Sequence, residues 1–255
     1  MSRDFDLTTV PEGWERPFAK LREKWGVIPT DVDRRQGSGH LLTLSDEALL
    51  EDWNRATLNS TTGEGFGVRG WYHEMYRAFV PGKRILDVGC GVATSTICFA
   101  EMGAKLTFCD IVQDNVRLVE RICALKGIDA EFFYIDDVES YDALPLEFDV
   151  IAAIGSLINA PLAVTRREID RLKQHLRIGG RWWHLAYPKA RWEREGRVDF
   201  SKWGEMTDGE GTPWMTFHDR AEIEALFAPS RLRFLFECEW HNNDFNWFDI
   251  ELIER

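Results

Sequence analysis

From residue 84 onward, apolar positions switch regularly between short continuous runs and helical faces. Arg84-Ile85-Leu86-Asp87-Val88 predicts a strand and Ala93 to Met102 a helix. Lys105 to Cys109 predicts a second strand, and Val112 to Leu125 a second helix. Ala130 to Ile135 follows as a third strand, and Phe148 to Ile154, rich in Val and Ile, as a buried fourth. Leu162 to Leu176 predicts a helix that gives out at Gly179-Gly180, and Arg181 to Ala186 a fifth strand. This β-α repetition predicts a parallel sheet with helices on both faces.

The flanks read differently. Phe18, Leu21 and Trp25 fall three and four apart on one helical face, and Ser45-Asp46-Glu47 is a cap with an acidic first turn opening a helix through Leu49, Leu50 and Trp53. Gly63, Gly65, Gly67 and Gly70 mark a flexible stretch before a short helix over Trp71 to Tyr76. Residues 1–70 are thus expected to be a helical N-terminal extension to a domain spanning 71–255. Residues 188–218, with Trp192, Trp203, Trp214 and Phe217 among charges and glycines, are too long for an ordinary connection and predict a lid with little regular structure. A helix over Asp219 to Phe227 leads into strands Leu232 to Trp240 and Phe245 to Ile253, whose alternation around His241-Asn242-Asn243-Asp244 predicts an antiparallel hairpin.

Composition narrows the possibilities. With 44% hydrophobic and 29% charged residues the 255-residue chain can bury a core. Its 31 basic and 43 acidic residues give a formal charge of −12, which disfavours a nucleic-acid partner. No apolar run approaches the roughly 20 residues of a membrane span, and Met1 to Leu7, with Arg3, Asp4 and Asp6, does not read as a signal peptide. Five cysteines without a Cys-x-x-Cys pair suit reduced thiols in the cytoplasm, and the six histidines have no zinc spacing, so no metal is expected.

The strongest chemical signal is Ile85-Leu86-Asp87-Val88-Gly89-Cys90-Gly91-Val92-Ala93-Thr94, a strand running through a glycine turn into a helix. Asp110 ends the next strand, where a carboxylate can accept both hydroxyls of a ribose. A dinucleotide fingerprint needs Gly or Ala at 94, where Thr94 stands, and Asp87 would repel a pyrophosphate. The same Asp87 suits the ammonium end of S-adenosylmethionine.

The run ILDVGCG with Asp110 resembles the class I S-adenosylmethionine-dependent methyltransferases, over roughly residues 71–188 and the final hairpin. The family usually has a third glycine where Ala93 stands. The resemblance implies a Rossmann-like, doubly wound α/β fold with a seven-stranded, mostly parallel sheet whose last strand is antiparallel. It implies that Gly89 and Gly91 contact the methionine moiety, and Asp110, with Ile111 beside it, the ribose. Asp137 and Val138 would meet the adenine, and Ile154 would border the methionine. Tyr72 and Trp71 offer aromatic faces to the sulfonium. S-adenosylhomocysteine would be the product.

Absences narrow the acceptor. Amino-directed DNA methyltransferases resemble Asn/Asp-Pro-Pro-Tyr/Phe after the fourth strand, where this chain has Ile154-Gly155-Ser156-Leu157. The paired glutamates of arginine methyltransferases and the clustered acidic ligands of the metal-dependent catechol type are also missing. A small-molecule acceptor is expected, and the tryptophans of 188–218 suit a sugar or nucleotide-linked sugar, or else close a secondary core. LAYPKARWEREG and TDGEGTPW resemble methyltransferases encoded with bacterial surface-glycan or sugar-modifying enzymes. For O-methylation a base helps remove the acceptor's proton, and the candidates are His73, then Tyr187, then His218. His184 is expected to be a satisfied buried histidine, and His40, His175 and His241 surface or linker residues. Rival readings are N-methylation, a non-catalytic S-adenosylmethionine-binding module, and a nicotinamide oxidoreductase, although no Tyr-x-x-x-Lys pair is present. The oligomeric state is not legible.

Overall fold

The structure, a computed structural model, describes residues 7–26, 37–67 and 69–255. The reading of Met1 to Leu7 therefore falls, Leu7 apart, outside the described residues. Chain contacts define two compact units, Trp25–Tyr134 and Met1–Lys24 with Ile135–Arg255.

The first helix, α1 (Pro17–Trp25), buries Phe18 and Leu21 as the spacing predicts. The unit Trp25–Tyr134 then opens with α2 (Ser38–Leu41) and α3 (Asp46–Thr61). Ser45 caps α3 by accepting from the Ala48 N–H at 3.3 Å, and Leu49 and Trp53 are buried. The glycine stretch expected to be flexible forms a 3-10 turn over Gly63–Gly67 and leads into α4 (Gly70–Tyr76). Gly70 has a steric reason: a Cβ there would lie 2.1 Å from the Thr61 carbonyl oxygen.

Next come β1 (Arg84–Val88), α5 (Ile97–Glu101), β2 (Lys105–Asp110), α6 (Gln113–Lys126) and β3 (Ala130–Tyr134). Helix α5 is shorter than predicted. Residues Ala93 to Thr96 continue the turn instead, because Ala93 takes a positive φ of 54° and the Thr96 hydroxyl is held by Asp87. Strands β1, β2 and β3 pair in parallel, with Val88 opposite Cys109 and Asp110 opposite Tyr134.

The other unit contains β4 (Phe148–Ile154), α7 (Leu162–Leu172), β5 (Leu176–Ala186), α8 (Lys189–Arg194), α9 (Phe200–Asp208), α10 (Arg220–Phe227), β6 (Arg231–Trp240) and β7 (Phe245–Glu254). β4 pairs parallel with β5, and β7 lies antiparallel between β5 and β6. The seven strands follow the order β3-β2-β1-β4-β5-β7-β6. Only β7 is reversed, which is the mostly parallel sheet with an antiparallel last strand that the family resemblance implies.

Three predictions need correction here. Helix α7 ends at Leu172, and β5 starts at Leu176 and absorbs Gly179-Gly180, where the pairing with β4 shifts register. His175, read as a surface or linker residue, is buried and bonds the Pro145 carbonyl through Nδ1 at 3.1 Å. Residues 188–218 are not irregular, since they hold α8 and α9. Asp199 caps α9 by accepting from the Ser201 N–H at 2.9 Å, and Phe200 and Trp203 turn inward. They form a secondary core with Ile158, Ala186, Met215 and Phe217, against which Trp192, Trp214 and Tyr187 pack half-buried. The Trp203 indole N–H donates to Glu195 at 2.6 Å, and that of Trp192 to the Val198 carbonyl at 2.8 Å. Among the described residues, no helix is long and apolar enough to cross a membrane.

Candidate active site

In the unit Trp25–Tyr134, β1 delivers the chain into a turn in which Gly89 and Gly91 take φ of 68° and 54°. These values strain any residue with a side chain. The Gly89 N–H donates to the Cys109 carbonyl at 2.9 Å, tying the turn to β2. A Cβ placed on Gly91 would meet no heavy atom within 4 Å, so that side of the turn is open. Trp53 braces the turn from α3, its indole N–H donating to the Val92 carbonyl at 2.7 Å.

Asp110 is oriented by two amides. The Gly91 N–H donates to its Oδ2 and the Val112 N–H to its Oδ1, both at 2.8 Å. Burial raises its pKa, opposed by those backbone donors. Asp87 is buried as well, and its carboxylate accepts from the Thr96 hydroxyl. Desolvation, opposed by the Thr96 bond and aided by the charge of Asp110, pushes its pKa up to about 7. Neither carboxylate has an ion-pair partner among the described residues. Two buried acids beside an open glycine turn have the chemistry to receive a ligand that is cationic at one end and carries a diol. The methionine ammonium and the ribose of S-adenosylmethionine fit that requirement.

Helix α4 lies against the same turn. His73 is buried, and its Nε2–H donates to the Ser95 carbonyl at 2.7 Å, which leaves Nδ1 as the lone-pair nitrogen. Burial lowers its pKa. Tyr72 is fully buried edge-on to Trp71 and His73, and desolvation pushes its phenol up to about 12. Arg69, which the sequence reading did not select, donates to the Ser95 hydroxyl at 2.9 Å. Ile111, half-buried, directly follows Asp110.

In the other unit, Asp137 and Val138 follow β3. Asp137 caps a 3-10 turn over Val138–Ala143, accepting from the Ser140 N–H at 2.9 Å, while Val138 is buried. Asp136 pairs instead with Arg22 of α1 at 3.2 Å. Ile154 ends β4 half-buried, and Gly155 follows with φ of 75°. Tyr187 directly follows β5, half-buried, and its O–H donates to Asp208 at 2.9 Å. His218 and His184 are fully buried and stacked, His184 Nε2 lying 2.9 Å from His218 Nδ1.

Comparison with known proteins bears on this arrangement. The family described as "Methyltransferase domain" matches residues 85–180, from β1 into β5. Over residues 85–180 the chain is thus similar to a methyltransferase domain. The ubiquinone biosynthesis O-methyltransferase of Xanthomonas campestris pv. campestris (strain B100) is 32% identical over 100 residues, which are 38% of this chain and 41% of that protein. The one from Pseudomonas entomophila (strain L48) is 29% identical over 91 residues, 36% of this chain and 38% of that protein. The chain thus spans about two-fifths of the length of these curated relatives. Magnesium protoporphyrin IX methyltransferase from Synechocystis PCC 6803, solved with bound S-adenosylhomocysteine, has the same fold. Its TM-score is 0.55 at 16% identity, covering 93% of this chain and 95% of that one. The methyltransferase domain, with its buried acids, supports S-adenosylmethionine as the cofactor.

Proposed function

We propose that the protein transfers a methyl group from S-adenosylmethionine to a hydroxyl of a small polar acceptor, such as a sugar or nucleotide-linked sugar. The pair of buried carboxylates, Asp87 and Asp110, behind the Gly89–Gly91 turn carries the reading. Asp110 would accept from the ribose hydroxyls, and Asp87 would hold the ammonium. Gly89 and Gly91 would let the methionine approach the backbone, with Ile111, Asp137 and Val138 lining the nucleoside and Ile154 and Tyr72 the methionine. The cofactor supplies an electrophilic methyl on a good leaving group, and the rest of the work is alignment and exclusion of water. The O-methyltransferase relatives support a hydroxyl acceptor. The negative charge of the chain supports a small molecule over a nucleic acid, and its free cysteines suit a cytoplasmic setting.

The three base candidates are not equally placed. Both ring nitrogens of His218 are engaged, Nδ1 with His184 and Nε2 with the Thr216 hydroxyl at 3.1 Å, and the residue is fully buried. His73 keeps only Nδ1 as an acceptor. Tyr187 is half-buried at the carboxyl end of a strand, where ligands of open α/β sheets bind. We therefore place Tyr187 ahead of His73 and His218, and residues 188–218 as the lid over the acceptor.

The test is a screen with radiolabelled S-adenosylmethionine against sugars, nucleotide-linked sugars, phenols and amines, alongside calorimetry with S-adenosylhomocysteine. Binding of S-adenosylhomocysteine, with label on a hydroxyl compound, is expected. A chain that binds no S-adenosylhomocysteine would refute the reading.

A further inference from the structure

We propose that Tyr187 takes the proton from the acceptor's hydroxyl and passes its own to Asp208, with Asn159 positioning that carboxylate. The inference deepens the methyltransferase reading and rests on it. The three side chains come from separate places in one unit: Asn159 after β4, Tyr187 after β5, and Asp208 at the last residue of α9. The Tyr187 O–H donates to Asp208 Oδ1 at 2.9 Å, and Asn159 Nδ2 donates to Asp208 Oδ2 at 3.2 Å. Both Asn159 and Asp208 are only 8% exposed. Asn159 Nδ2 also reaches the Trp214 carbonyl at 3.4 Å, which fixes the amide's orientation.

The ring of Tyr187 is held from the side. The Arg191 guanidinium lies over it at 4.2 Å, and Trp203 meets it edge-on at 6.1 Å. The direction of the hydrogen bond carries the chemistry. A phenol that donates to a carboxylate presents an oxygen lone pair to an incoming O–H. On the same secondary core, the Trp214 indole N–H is buried without an acceptor among the described residues, a donor that a second oxygen of the substrate would match. A brace between lid and strand would require neither an ionisable pair nor an unmatched donor.

The step balances. The acceptor's O–H bond breaks and its proton joins the Tyr187 oxygen, while the Tyr187 proton moves to Asp208. The acceptor oxygen bonds the methyl carbon, the carbon–sulfur bond breaks, and its electron pair stays on sulfur. Asp208 later releases the proton to water. This relay suits an alcohol or phenol, which attacks best as it loses its proton. A neutral amine attacks before losing one. Tyr187 is the catalytic residue; Asp208 and Asn159 act through it and are positioning residues.

The test uses the full chain with radiolabelled S-adenosylmethionine and four probes, catechol and glucose against aniline and benzylamine, from pH 6 to 10. Label is expected on a hydroxyl probe. Tyr187→Phe and Asp208→Asn should bind S-adenosylhomocysteine as the wild type does and melt within a few degrees of it. Their kcat should fall on the order of 100-fold with KM nearly unchanged, and their rates should climb with pH as hydroxide replaces the pair. Asp208→Glu should recover part of the rate. A rise in KM with kcat intact, or variant rates that track the wild-type pH profile, would reduce the cluster to a brace and overturn the proposal. So would label on amines alone, or on no probe while S-adenosylhomocysteine binds. A wild-type chain that binds no S-adenosylhomocysteine overturns the methyltransferase reading itself, and the relay with it.

Discussion

Gly91 and Asp110 are joined by a 2.8 Å hydrogen bond from the backbone N–H of the one to Oδ2 of the other. The glycine turn and the acidic end of β2 are therefore shaped together. Asp110→Ala removes the proposed ribose acceptor and also leaves the Gly91 and Val112 amides without their partner. Two charge-assisted bonds to ribose, at about 1.5–3 kcal/mol each, correspond to an affinity loss of roughly 100-fold or more. Titration with S-adenosylhomocysteine in a calorimeter checks this. Asp110→Asn keeps one acceptor oxygen and should retain more of the turn, with a smaller drop in melting temperature than the alanine variant. Unchanged affinity in both variants would mean the ribose lies elsewhere.

Asp87 gives the cofactor step a pH signature. Its pKa of about 7 in the folded chain lies above the ordinary 3.8. Between those values the folded chain holds a proton that the unfolded chain has released, so this group's contribution to stability falls as pH rises through that window. A cation bound beside it favours the carboxylate. Binding of S-adenosylmethionine below pH 7 should therefore release a proton, and affinity should rise with pH and level off above about 7. Calorimetry in buffers of different ionisation enthalpy measures the proton directly. Asp87→Asn should weaken binding and flatten its pH dependence; a slope that survives the substitution would remove Asp87 from the site.

How much of this was legible before the structure depended on the range of the forces involved. β1, β2 and β4 are short apolar runs bounded by glycines or charges, and buried strands leave that mark on the sequence itself. The glycine turn and Asp110 were readable because φ requirements and strand ends are local. Helix α9 was hidden because Gly204 interrupts the pattern. That glycine is there for close packing, a Cβ on it falling 2.9 Å from the Thr212 carbonyl oxygen. The cap Asp199-x-Ser201 and the Phe200–Trp203 spacing were the available signals. Asp208 had no local mark at all, since its meaning lies in Tyr187, 21 residues away, and Asn159, 49 residues away. The burial of His218 and His175 was likewise set by partners distant in sequence.

Gly70→Ala tests whether the approach of α4 to α3 matters for the site. The added methyl would lie 2.1 Å from the Thr61 carbonyl oxygen and 2.8 Å from the Phe66 ring, and backbone cannot give way cheaply. A loss of roughly 1–3 kcal/mol is expected from overpacking. Because α4 carries Tyr72 and His73 against the turn at Ser95, the shift should also weaken S-adenosylhomocysteine binding. Denaturant titration and calorimetry read the two effects separately. Wild-type stability in this variant would show that the helix can move aside freely.

The stacked histidines, His184 of β5 and His218 just before α10, belong to a directional chain. The Trp182 indole N–H points to His184 Nδ1 at 3.5 Å, and His184 Nε2–H then donates to His218 Nδ1 at 2.9 Å. His218 Nε2–H in turn donates to the Thr216 hydroxyl at 3.1 Å, which donates to the Ile158 carbonyl at 3.2 Å. The bonds accepted by His184 Nδ1 and His218 Nδ1 require neutral imidazoles. Burial lowers the pKa of His184 to about 3, and burial plus the neighbouring ring lowers that of His218 well below its usual value. The unfolded chain binds protons first as pH falls below the usual 6.5, so stability supplied by the neutral pair is present above that value and is lost toward about 3. Glu168, bonded by the Tyr141 hydroxyl and raised by burial to about 8, has the opposite slope between its ordinary 4.5 and 8. His184→Gln should therefore lower stability at pH 7 by roughly 1–3 kcal/mol, the range for a broken buried hydrogen bond. It should also make the loss between pH 7 and pH 5 shallower than in the wild type. Chemical denaturation at the two pH values checks both, and an equally steep loss in the variant would show that the acid sensitivity resides in other groups.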